Sequence, residues 1–241
     1  MKLRLAYHLR DYIWNTMKIH MRKIILPILS LIVFGCSSVS AQKILTEGSL
    51  TYDIAVQTGS KEPKMADMFD GATTTIFFKG TQSRTDLVSG LGSEANIFDS
   101  KTGEGFILKD YSGQKLMITM DKEDFDKKNK KYEGITFENT NETKVIASYN
   151  TRKAIAKLKD GTSFTVYYSP EINVANKDYE YQFKTLPGLA LQYEWQSGKL
   201  KFTYTLSTIS TDAVPLSKFE APKSGYRVMT FAEQQKLKNG N

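Results

Sequence analysis

Leu200-Lys201-Phe202-Thr203-Tyr204-Thr205-Leu206-Ser207 decides the fold. Apolar and polar residues alternate without a break, so an extended chain sends them to opposite faces. One face is apolar and the other wet, the pattern of an antiparallel sheet covered on one side. Leu50, Tyr52, Ile54 and Val56 repeat it against Thr51, Asp53 and Ala55, and Thr162–Ser169 reads Thr-Ser-Phe-Thr-Val-Tyr-Tyr-Ser. Further strands are expected at 74–79, 83–88, 96–99, 105–110, 115–119, 144–148, 152–159, 179–183 and 189–195. Turn residues separate many of them, as at Lys79-Gly80, Ser112-Gly113, Asp160-Gly161 and Ser197-Gly198. Glycine there supplies the positive φ of a hairpin turn. The expected fold is mainly β: a curved antiparallel sheet, half-barrel or open barrel, with one to three short helices.

Three stretches read as helix. Glu62 to Asp70 puts Met65, Met68 and Phe69 on one face, with Gly71 as a stop. Asp121 to Lys131 is polar, with Phe125 as its one apolar anchor. Thr230 followed by Glu233 forms a capping box before Leu237.

The amino end reads as an export leader. Met21-Arg22-Lys23 is a basic start, Ile24–Phe34 an apolar run, and Val39-Ser40-Ala41 a small-residue cleavage site. This run of eleven residues falls short of the roughly 20 that a membrane span needs. Two processings stay open. Cleavage after Ala41 leaves a soluble chain starting at Gln42. Acylation of Cys36, in Val33-Phe34-Gly35-Cys36, anchors the chain to a membrane. Residues 1–20 lie upstream of this signal, so translation is expected to start at Met17 or Met21. Residues 42–241 then form a single β-rich domain in the periplasm or at the outer membrane.

Removing the leader changes the chemistry. The chain carries 33 basic and 26 acidic residues, net +7, but residues 42–241 hold 27 against 25. The high pI belongs mostly to the leader, and no nucleic-acid partner follows from it. Lys127, Lys128, Lys130 and Lys131 follow Asp121, Glu123, Asp124 and Asp126, a pattern of solvated alternating charge. His8, His20 and Cys36 are the only histidines and cysteine. Residues 42–241 therefore exclude Ser-His and Cys-His nucleophilic catalysis, Cys/His zinc sites and thiol redox chemistry. Asp53, Asp86, Asp99, Asp110, Glu171 and Glu194 are scattered on strands and turns, the placement of solvent-facing residues. Gly90-Leu91-Gly92 lacks the rest of a phosphate-binding fingerprint, and Asp121–Asp126 lacks the glycine and final glutamate of a calcium loop. No catalytic residue, metal ligand or cofactor is assigned.

The most distinctive segment runs from Glu142 to Trp195. It contains Glu142-Thr143-Lys144, Ile146, Tyr149, Lys153-Ala154, then Tyr168-Ser169-Pro170-Glu171-Ile172, then Thr185-Leu186-Pro187-Gly188-Leu189-Ala190. Pro170 ends a strand by withholding its N–H. Pro187-Gly188 marks a tight turn, with Pro presetting φ and Gly accepting a positive one. The segment resembles the GLPGLI family of exported Gram-negative envelope proteins. Thr185 and Ala190 replace the first and last residues of that signature, and the cysteine often found near Thr151 is absent here. The resemblance implies kinship with lipoprotein-carrier-like half-barrels, in which a curved sheet wraps a helix and exposes an apolar concave face. It transfers no activity. On this reading the protein is a non-catalytic module for an apolar ligand such as a lipid or acyl chain, with Met65, Met68, Phe69, Leu186, Pro187, Leu189, Tyr193 and Trp195 as the candidate ligand-binding residues. The alternative is a scaffold that contacts an envelope protein partner.

Overall fold

The alternating stretches pair into one large sheet. The structure, a computed structural model, describes residues 42–58, 69 and 71–240. The strands are β1 Lys43–Leu45, β2 Glu47–Thr58, β3 Thr73–Lys79, β4 Gln82–Ser89, β5 Gly92–Asp99, β6 Gly105–Tyr111 and β7 Gln114–Met120. After helix α1, Lys122–Asn129, come β8 Thr136–Ile146, β9 Tyr149–Lys157, β10 Ser163–Ser169, β11 Ile172–Val174, β12 Leu189–Ser197, β13 Leu200–Ser210 and β14 Arg227–Thr230. Helix α2, Phe231–Lys238, closes the chain. Twelve strands form the sheet in the order β14-β7-β6-β5-β4-β3-β2-β13-β12-β10-β9-β8. All neighbours are antiparallel except β14 on β7. The mainly β, antiparallel expectation holds, and the sheet is open, ending at β14 and β8.

Register defines the inner face. Tyr193 pairs with Tyr204, Tyr204 with Ile54, Leu50 with Ile76, Ile76 with Thr85, Thr85 with Asn96 and Asn96 with Ile107. The half around β2, β13, β12 and β10 is filled by the chain itself. Leu45, Ile172, Val174, Tyr179, Phe183 and Leu186 share one core with Leu50, Tyr52, Phe78, Val166, Leu189, Leu191 and Tyr193. Much of that filling comes from residues 172–186, the stretch between β10 and β12. It is tied down by parallel pairing of β11 with β1, and in the same core Tyr52 Oη donates to the Ala190 carbonyl of β12 at 2.8 Å. The outer face of β5 and β6 has a second, smaller core, where Val214 and Phe219 meet Ala95, Ile97 and Leu108.

Some boundaries differ from the sequence reading. Residues 179–183, expected as a strand, contain a 3-10 turn at Tyr181–Phe183, because this stretch lies over the sheet rather than in it. The strand expected through Ser148 ends at Ile146. Ala147 and Ser148 turn at φ +47° and +68° so that Ile146 can face Tyr149. Gly188 does not adopt positive φ. It is required by close approach, since a Cβ there would lie 2.1 Å from the Ser169 carbonyl oxygen. The helix expected over 62–70 lies, apart from Phe69, outside the described residues, as does the leader with Cys36. The other two helices form where the sequence puts them, each opened by a capping box.

Candidate functional site

The other half of the inner face is not filled. A cleft of about 350 Å³ lies between the sheet and the elements above it. Its floor includes Ser83 and Thr85 of β4 and Asn96 and Phe98 of β5, and its roof is Phe125, Lys128 and Asn129 of α1, Tyr132, and Asp178–Gln182.

Helix α1 brings one aromatic side chain, Phe125, to this place beside Lys128 and Asn129. Asp121 caps it, accepting from the Asp124 N–H at 2.9 Å, and none of its residues is fully buried. Phe125 lies flat on Phe98, with ring centroids 3.6 Å apart and planes within 6°, and meets Tyr181 edge-on at 5.9 Å. An aromatic pair of this kind adds about 0.5–1.5 kcal/mol beyond its buried area.

Glu180 and Lys128 face each other's field in this cleft. Glu180 keeps part of its surface exposed, yet its carboxyl is pushed up to about 7 by burial, against the Gln182 hydrogen bond (3.0 Å) and the Lys128 charge. Tyr52, Tyr132, Tyr179, Tyr193 and Tyr204 all have phenols raised first by burial and also by the Glu180 charge. The carboxylate thus sits among tyrosines, where a negative charge is poorly solvated. Lys128 exposes much of its length, and its ammonium donates to Asn96 Oδ1. Burial lowers its pKa, while Glu94 and Glu180 oppose that. Asn96 in turn donates to Glu94 at 3.2 Å, and Glu94 pairs with Lys109 at 2.7 Å. A polar chain therefore crosses the floor from Lys109 to Lys128.

The candidate residues from the sequence fall elsewhere. Leu186 and Leu189 are core, Pro187 is exposed, and Tyr193 is buried, stacked on Tyr204 at 4.6 Å. Phe69 meets Phe202 edge-on at 5.6 Å. Trp195 packs edge-on against Tyr132 at 6.1 Å, one residue from the cleft. None of these six lines the cleft, and Met65 and Met68 lie outside the described residues. The scattered carboxylates do not converge. Asp86 pairs with Arg84, Asp110 with Lys115 and Glu194 with Lys201, while Asp99 caps a turn. Among the described residues no group of three or more His, Cys, Asp or Glu could hold a metal ion.

Glu180 and Lys128 escaped the sequence reading for different reasons. Residues 179–183 read as a strand, and Lys128 read as one of four solvated lysines. Asp178-Tyr179-Glu180-Tyr181-Gln182-Phe183 alternates polar and aromatic residues as a half-buried strand does, so nothing local set Glu180 apart. The motif residues of the Glu142 segment form a separate cluster. Glu142 accepts from Lys153 at 2.7 Å and from Tyr167, and Lys144 stands 3.5 Å over the Tyr167 ring. They tie edge strand β8 across β9 to β10.

No protein-family model matches the chain, and no curated protein does. Among solved structures it is similar to PNGF-II at a TM-score of 0.46 and 13% identity, over 80% of this chain and 33% of that one. The chain thus spans about a third of the PNGF-II length. It is also similar to the Mycobacterium tuberculosis lipoprotein LppX (TM-score 0.36, 10% identity, 71% of this chain and 89% of that one). A LolA superfamily protein from Nitrosomonas europaea gives 0.32 and 8%, over 75% and 91%. These likenesses touch the arrangement of the fold alone, and function has to come from the cleft.

Proposed function

We propose that this chain is an exported envelope protein whose inner-face cleft binds a small amphipathic ligand, with an acyl chain or other lipid part, and does not transform it. The observation that carries the reading is the cleft itself. At about 350 Å³ it falls within the range of small-molecule sites. Phe98, Phe125, Tyr132, Tyr179 and Tyr181 offer it apolar surface, and Asn96, Lys128, Glu180 and Gln182 offer orienting polar groups. The mixture favours an amphiphile over a bare hydrocarbon. The leader pattern at residues 21–41 and the resemblance of Glu142–Trp195 to the GLPGLI family support an envelope address, with residues 42–241 as the working domain.

The carboxyl of Glu180, titrating near neutrality beside Lys128, favours a second reading, proton transfer on a bound substrate. The scaffold reading draws on β8, an eleven-residue edge strand with no outer partner among the described residues. Native mass spectrometry of the protein purified from a Gram-negative envelope, followed by lipid extraction, separates the three. A reproducible lipid adduct that Phe125→Ala abolishes is the expected result. A bare mass with a co-purifying protein would sink the ligand reading. An adduct whose mass changes with time in wild type, but not in Glu180→Gln, would favour the enzyme.

A further inference from the structure

Lys128 also walls a second cleft. About 470 Å³ lies between the last turn of α1, helix α2 and the inner face of β5 and β6, lined by Lys109, Lys128, Gln234 and Lys238 over a floor that includes Ile107 and Phe231. Glu94 also lines this cleft and is taken by Lys109 at 2.7 Å, while Lys127 is taken from outside it by Glu123 at 2.7 Å. Lys128 and Lys238 have no carboxylate within ion-pair distance among the described residues. Gln234 is nine-tenths buried and lines the cleft.

We infer that this cleft is an oxyanion site, and that Lys128 joins it to the tyrosine-lined cleft so that one amphiphile places its apolar part in the first and its phosphate or carboxylate in the second. This rests on the proposed binding of an amphipathic ligand. The donor set suits oxygen acceptors: ammonium groups carry three donors each and the Gln234 amide two. Charged donors bind such oxygens with short, strong hydrogen bonds. Burial lowers the Lys128 pKa first; the Glu94 and Glu180 charges oppose that, and the weaker Lys109 and Lys238 charges add to it. A bound anion would give the Lys128 and Lys238 ammonium groups the ion partner that no carboxylate supplies.

The test is titration calorimetry of the exported full chain with dodecyl phosphate, dodecanol and sodium phosphate. Dodecyl phosphate is expected to bind at least tenfold more tightly than dodecanol. The double variant Lys128→Gln/Lys238→Gln closes that gap. Lys130→Gln, on the neighbouring cleft of the same helix, leaves it open. Saturable binding of sodium phosphate that the double variant abolishes assigns the site to a free anion, and its absence assigns it to a head group; both sustain oxyanion recognition. Equal affinity for the two amphiphiles, or a gap indifferent to the double variant, overturns the inference while the amphiphile site stands. Failure of both amphiphiles to bind removes the underlying reading as well.

Discussion

Glu180→Gln should make the protein more stable at pH 8 and leave it nearly unchanged at pH 4.5. The folded carboxyl titrates near 7, raised by burial from an ordinary 4.5. Between these two values the folded state holds a proton that the unfolded state has released. Stability therefore falls as pH rises through this window and levels off above it. A displacement of this size corresponds to about 3 kcal/mol at 1.36 kcal/mol per pH unit. That is a ceiling, because part of the side chain reaches solvent and the Lys128 ammonium loses the opposing Glu180 charge in the variant. Glutamine keeps a carbonyl that can still accept from Gln182. Urea unfolding followed by Trp195 fluorescence at pH 4.5, 6 and 8 reads the effect. The gap between variant and wild type should open from near zero to between about 1 and 3 kcal/mol. A gap that does not change with pH would refute the burial of this carboxyl among tyrosines.

Gly188→Ala drives a methyl to 2.1 Å from the Ser169 carbonyl oxygen and should cost about 3 kcal/mol, read as a lower urea midpoint, although the site needs no positive φ. Ala147→Asn with Ser148→Gly places residues suited to left-handed backbone in the β8–β9 turn. It should raise stability by about 1 kcal/mol, read as a higher melting temperature. Tyr52→Phe leaves the Ala190 carbonyl without its hydroxyl donor in the core and should cost about 1–2 kcal/mol in the same urea assay.

Much of the sheet was legible because a strand with one buried face must alternate. Leu50–Val56, Thr162–Ser169 and Leu200–Ser207 each do so, and each is a strand. The capping box at Thr230 was equally local, since Thr230 and Glu233 lie three residues apart. Tyr179–Phe183 misled because an aromatic run that fills a core looks like one that belongs to a sheet. Strand β8 was seen only at its end, since its exposed edge carries Asn139–Glu142 where apolar residues would have signalled it. Polar edge residues protect a sheet from pairing with other chains, and they also erase its alternation.

The sequence by itself determined the β class, the positions of most turns, and the absence of imidazole and thiol chemistry after residue 41. These depend on neighbours within a few residues or on composition. Only the tertiary structure decided that residues 172–186 fill half of the inner face and leave the rest as a cleft. It also decided that Glu180 and Lys128, 52 positions apart, line the same cleft. Burial and facing charge arise from contacts between distant segments, and one carboxylate in a chain looks like any other until the fold takes its water away.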